Sequence, residues 1–184
     1  ASTFAANQAG FWSDERGTNL LDSGSHFYEV YETADGKYIS LGSIEPQFYA
    51  TLLNKLGDDA KHFENQFDMG NWPQMKAKMT EIIKCKTRDD WDVIFAGSDV
   101  CYAPVLSMSE VRHHPHHQAR GTFIDDGDVW QPAPAPRFSR TKGELRCAAA
   151  TIGEHTKEVL REFGFSEEEI KKRLENGAIH SHSA

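Results

Sequence analysis

Cysteine is scarce in this chain: Cys85, Cys101 and Cys147 are the only three in 184 residues. They are widely separated, odd in number and outside any Cys-x-x-Cys spacing, so they form no disulfide framework; reduced thiols in a cytoplasmic protein are the expectation. A basic excess is lacking too. Lys and Arg total 20 against 28 Asp and Glu, a net charge of −8 with both signs mixed along the chain. Phosphate neutralisation needs a basic face, so nucleic acid is not an expected partner. No apolar run approaches the roughly 18 residues of a membrane span and no signal peptide is visible, so no membrane partner is expected either. There is no GxGxxG, no phosphate-binding Gly-rich loop and no GxSxG.

What is present suits a globular fold. Hydrophobic residues make up 39% and charged residues 26%, enough for one medium domain, or a domain plus an arm, with its own core. "HFYEVYET" and "KYISLGSI" flank the Asp35-Gly36 turn, which predicts a hairpin with strands over 26–32 and 37–43. Pro46 then opens a helix with Phe48, Leu52, Leu53 and Leu56 on its apolar stripe, stopped by Gly57. A second helix follows in "NWPQMKAKMTEIIKCK", with Trp72, Met75, Met79, Ile82 and Ile83 on one face. In a third, "TRDDWDVIFAGS", Thr87 caps, Asp90 stands at the capping-box position, and Trp91, Ile94 and Phe95 face inward.

"CYAPVLS" is a short apolar segment, and Ser107 is placed to cap a short helix through Val111. "GTFIDDGDVWQPAPAPRFSRT" holds two short strands around Asp126-Gly127 and then a Pro-rich strap. "GEHTKEVLREFG" and "SEEEIKKRLENGAI" read as amphipathic helices parted at Gly164, before a loose "HSHSA" end. The fold class is α+β: a small antiparallel sheet with packed helices, the strap, and C-terminal helices. The expected organisation is 1–19 as the end of a linker helix and its loop, 20–120 as the small domain, and 121–184 as strap and last helices. The Ala-rich opening, "ASTFAANQAGFW", has no capping signal and reads as the tail of a helix that begins elsewhere.

Three features could carry chemistry. "HHPHH" (His113, His114, Pro115, His116, His117) invites a metal reading, but adjacent ligands converge poorly, Asp125 and Asp126 are not spaced as zinc ligands, and no cysteine joins them. No metal site is expected, and a polar loop ending a helix is. Cys101 sits in an apolar setting without a neighbouring cation to depress its pKa, which suits a small core residue better than a nucleophile. Glu45, in "GSIEPQFY", stands between a strand end and a helix start. Composition favours reading it as an acid placed at the positive end of a helix; the alternative is a partly desolvated carboxylate aimed into a cleft to tune or relay a proton.

One family likeness bears on this choice. "ERGTNLLDSGSHFYEVYETADGKYISLGSIEPQFY" resembles the matching stretch of α-methylacyl-CoA racemases, within the family III CoA-transferase superfamily. The resemblance continues in order through "SDVCYAPVLSMSEV", "HHQARGTF", "PAPRFSRT" and "GEHTKEVLREFGFS". Members are about twice this long and open with a Rossmann-like large domain, which is not among these residues. The resemblance implies proton exchange at the carbon beside a CoA thioester carbonyl, with a catalytic His and Asp supplied by that large domain. None of the nine histidines here stands in that motif.

By the same resemblance, the "IEP" glutamate, Glu45, supports the catalytic histidine across a dimer. Tyr28, Ile44 and Leu21 fall on the acyl-side wall. The implied partners are an acyl-CoA substrate, a second copy of the chain in a homodimer or larger assembly, and a large domain that could be a separate polypeptide. No cofactor is implied, since the CoA thioester is the substrate. On this reading the chain alone is catalytically silent. A CoA-transferase of the same superfamily and a stand-alone binding or assembly domain remain as alternatives.

Overall fold

The computed structural model describes residues 1–125, 127 and 129–182; Asp126 and Asp128 around the second Asp-Gly turn and Ser183 and Ala184 of the tail lie outside them. The chain divides into two compact units, residues 1–109 and 110–184.

The first unit opens with helix α1 (Ser2–Gln8) and a long loop. Strands β1 (Tyr28–Glu32) and β2 (Tyr38–Gly42) pair antiparallel, Tyr28 opposite Gly42 and Glu32 opposite Tyr38. The expected hairpin is there, each strand slightly shorter than its apolar run. Thr33 and Lys37 close it through an N–H···O bond of 2.9 Å, and Gly36 takes the left-handed backbone (φ +70°) that a tight turn needs.

Helices α2 (Pro46–Leu56), α3 (Trp72–Ile83) and α4 (Arg88–Phe95) follow, with a 3-10 turn over Gly57–His62. Strand β3 (Tyr102–Val105) returns to β2, Tyr38 opposite Val105, completing a sheet of order β1-β2-β3. One face of this sheet, with Tyr31, Ile39 and Leu41, packs on the helices and forms one core with Leu52, Met79, Ile83, Trp91 and Phe95. All five expected residues of α3 are buried, and Thr87 and Asp90 form the expected capping box on α4. The stripe on α2 differs from expectation: Tyr49, Leu52 and Leu56 are buried, while Phe48 and Leu53 are only half-buried. The reason is the Tyr49 phenol, which satisfies its hydroxyl inside the core by donating to the Phe63 carbonyl (2.8 Å) and accepting from His26 (2.7 Å).

Helix α5 covers Met108–Val111, as expected from Ser107. In the second unit, helix α6 (Pro115–Arg120) corrects the reading of "HHPHH" as a helix-ending loop. Pro115 takes the first helical position and His114 caps it, its ring accepting from the His116 N–H, so the pattern begins a helix. Strands β4 (Phe123–Asp125) and β5 (Trp130–Pro132) pair antiparallel on either side of Gly127. Residues 133–150 carry no helix or strand. Helices α7 (Thr156–Glu162) and α8 (Glu167–Glu175) are parted at Gly164 (φ +86°), and a Ser166–Glu169 capping box opens α8. A three-stranded and a two-stranded antiparallel sheet with packed helices make this an α+β chain.

Candidate active-site half

Glu45 sits where β2 hands over to α2. It is the N-cap residue, extended at φ −70° and ψ 141°, and Pro46 fills the first helical position. Its carbonyl accepts from the N–H groups of Phe48 (3.0 Å) and Tyr49 (2.9 Å). Its carboxylate makes no cap hydrogen bond, and its favourable place at the positive end of the helix needs none. The side chain is exposed within this chain, so any desolvation has to come from a second surface.

The backbone beneath Glu45 is tightly held. The Ser43 N–H donates to the Phe27 carbonyl (3.0 Å), and its hydroxyl donates to the Val100 carbonyl. The buried Gln66 amide donates to the carbonyls of Ser43 (3.0 Å) and Ile44 (2.8 Å), and the Gln66 carbonyl accepts from the Trp72 indole (2.8 Å). A free carboxylate on a fixed backbone results.

Leu21 and Tyr28, expected on one wall, do come together. They line a groove of about 350 Å³ that also includes Gly42 and Cys101. A Cβ at Gly42 would stand 3.7 Å from the Tyr28 ring and 3.5 Å from the Cys101 carbonyl, ordinary contact distances, so the groove floor does not demand glycine there. Ile44 does not join the groove lining; it is half-buried and packs against the core.

Cys101 corrects a second expectation. It is exposed rather than a core residue, and it holds φ +54°, a conformation uncommon outside glycine. Its carbonyl accepts from the Gly42 N–H at 2.9 Å. Partial burial raises the thiol above its ordinary pKa range, and the negative charges of Glu45 and Asp99 add to the rise. A thiol held protonated in this way is a poor nucleophile.

The groove continues an apolar surface. On the sheet face away from the helices, Tyr28, Val30, Tyr38 and Val105 are 36%, 50%, 46% and 40% exposed. By register Ser40 and Glu32 lie among them on the same face. A larger hollow of about 480 Å³ lies on α3 among His62, Lys78 and Glu81, where Lys78 and Glu81 pair with each other at 2.9 Å. Among the described residues no three His, Cys, Asp or Glu side chains gather as metal ligands, and no helix is long and apolar enough to cross a membrane. Gln66 and Cys101 were not singled out for the site by their sequence context; Gln66 has no local pattern, and the left-handed backbone of Cys101 has no sequence signal.

The chain matches CoA-transferase family III over residues 2–156. It is 46% identical over 163 residues to the α-methylacyl-CoA racemase of Mus musculus, covering 88% of this chain and 43% of that protein. To the Homo sapiens α-methylacyl-CoA racemase it is 44% identical over 173 residues, covering 92% and 45%. A crystal structure of a CAIB/BAIF family protein from Brucella suis superposes with a TM-score of 0.64 at 22% identity, over 88% of this chain and 44% of that one, a likeness of fold. The chain thus spans less than half the length of the relatives it matches. With the match to the family running through most of its residues, the chain belongs to CoA-transferase family III.

Proposed function

We propose that this chain supplies one side of an interdomain site for α-proton exchange in 2-methylacyl-CoA thioesters. The observation that carries the reading is the Glu45 carboxylate: exposed, making no cap bond, and held on a pinned backbone three residues after Gly42 of the groove that Leu21 and Tyr28 line. In such a reaction a base removes the proton beside the thioester carbonyl, the electron pair passes into an enolate, and an acid on the opposite face returns a proton to the same carbon. Both proton-transfer groups, the His and Asp of the racemase pattern, belong to a large domain outside these residues. Glu45 supports the histidine by orienting its ring and balancing its charge when protonated. The groove takes the branched acyl chain by apolar contact, and Ile44 stiffens the segment that carries Glu45. Covering the open sheet face by the large domain, in a homodimer or larger assembly, would desolvate Glu45 and strengthen its pull on an imidazolium.

The test is deuterium incorporation at the α-carbon of 2-methyldecanoyl-CoA in heavy water, with this chain alone and with a separately produced racemase large domain. Exchange in the mixture and none with the chain alone is the expected result. No exchange from a mixture shown to associate and to hold CoA would favour the second reading, a CoA-transferase of the same family in which a large-domain aspartate forms the covalent intermediate.

A further inference from the structure

We propose that Lys76 is a positioning residue that fixes the lip of the groove and so sets its preference for an acyl-CoA over free CoA; this rests on the function proposed above. Lys76 lies on α3, yet its ammonium donates to the carbonyl of Ser23 at 2.6 Å and pairs with the Glu29 carboxylate. Both Ser23 and Glu29 line the groove. The other Glu29 oxygen accepts the Val30 N–H at 2.8 Å, so both oxygens of that carboxylate are engaged. The Glu29 side chain is only 12% exposed, which makes the pair less screened than an ordinary surface ion pair.

Ser23 needs such an anchor. It holds φ +77°, a left-handed conformation that disfavours a residue with a Cβ. On its other side the loop is locked by the buried Asn19. The Asn19 carboxamide accepts from the Ser13 N–H (2.6 Å) and donates to Asp22 (2.7 Å), and its backbone N–H donates to Asp22 as well (2.7 Å). Burial opposes ionisation of Asp22, but the hydrogen bonds from Asn19 and the backbone outweigh it and hold the carboxyl below its usual range. Leu21 lies inside the Asn19–Asp22 lock, which sets the shape of the loop, while the Ser23–Lys76 clamp ties that loop to α3. Losing the clamp keeps the loop's shape but frees it as a unit to move off the groove, so an acyl chain loses the Leu21 wall while the CoA moiety loses nothing.

The experiment is an amide-resolved NMR titration of the chain with CoA and with 2-methyloctanoyl-CoA, which reads weak binding. The unmodified chain should prefer the thioester. Lys76→Met, which keeps the aliphatic stem, should reduce that preference about ten-fold, the scale of losing a methylene-sized apolar contact, and Lys76→Arg should restore most of it. Melting temperature measured alongside separates this from general destabilisation, which would weaken both ligands alike. If Lys76→Met does not fold, Lys76→Gln, whose shorter uncharged side chain gives up the ion pair and the reach to Ser23, is read identically. An unchanged preference in the variant overturns the clamp and leaves the acyl reading intact. An unmodified chain that binds both ligands equally overturns the acyl reading, and the clamp's role with it.

Discussion

Gln66 donates to the carbonyl of Ile44 over 2.8 Å, so a side chain from beyond α2 pins the residue that precedes Glu45. The same amide holds the Ser43 carbonyl, and no second donor to either carbonyl is recorded among the described residues. Replacing Gln66 by Ala should leave buried acceptors unpaired and cost about 1–3 kcal/mol. Chemical denaturation measures the loss, and faster amide exchange over 43–49 should accompany it. Unchanged exchange there would show that the bend stands without Gln66.

His26 makes stability depend on pH. The Tyr49 hydroxyl spends its one proton on the Phe63 carbonyl, so the His26 Nε2 carries the hydrogen in their shared bond and Nδ1 is left as a buried acceptor without a partner. Burial lowers the His26 pKa from 6.5 to about 4. The unfolded chain therefore binds this proton more readily than the folded one. The stabilisation is complete above pH 6.5 and falls as pH drops from there towards 4, by up to on the order of 3 kcal/mol. His26→Phe should flatten that part of the stability–pH curve; a variant with the same slope as the unmodified chain would assign the slope elsewhere.

Gly24 is required by close approach. A Cβ there would stand 2.4 Å from the Asn19 carbonyl oxygen and 2.6 Å from the Asn19 nitrogen, both backbone atoms that cannot swing aside. Gly24→Ala should force the loop open at a cost of about 1–3 kcal/mol and release Leu21 from the groove. Thermal unfolding and loop amide exchange read both effects, and a full-stability variant with a protected loop would contradict this packing.

Local chemistry made much of the fold legible. Asp35-Gly36 between β-rich runs announces the hairpin, the spacing of Trp72, Met75, Met79, Ile82 and Ile83 sets the buried face of α3, and Thr87 with Asp90 marks the start of α4. Features that depend on distant partners were not legible. Tyr49 displaces Phe48 from the core because His26 and Phe63 meet its hydroxyl, and neither lies near it in sequence. Cys101 is exposed because its left-handed backbone joins β3 to the Gly42 N–H, a pairing set by sheet register. For the site, the resemblance singled out Glu45, Leu21 and Tyr28 by motif, whereas the supports Gln66 and Lys76 act across the fold, and the Asn19–Asp22 bonds, though local, belong to no turn pattern the sequence displays.

The central claim is that Glu45 acts on a proton-transfer group supplied from outside these residues. Its most direct measurement is the rate of α-deuterium exchange in the mixture of chain and racemase large domain, comparing the unmodified chain with Glu45→Gln. The account predicts a fall of about a hundred-fold or more, with association and CoA affinity unchanged. An equal rate for the two chains would contradict it and return Glu45 to the role of an ordinary helix-start residue.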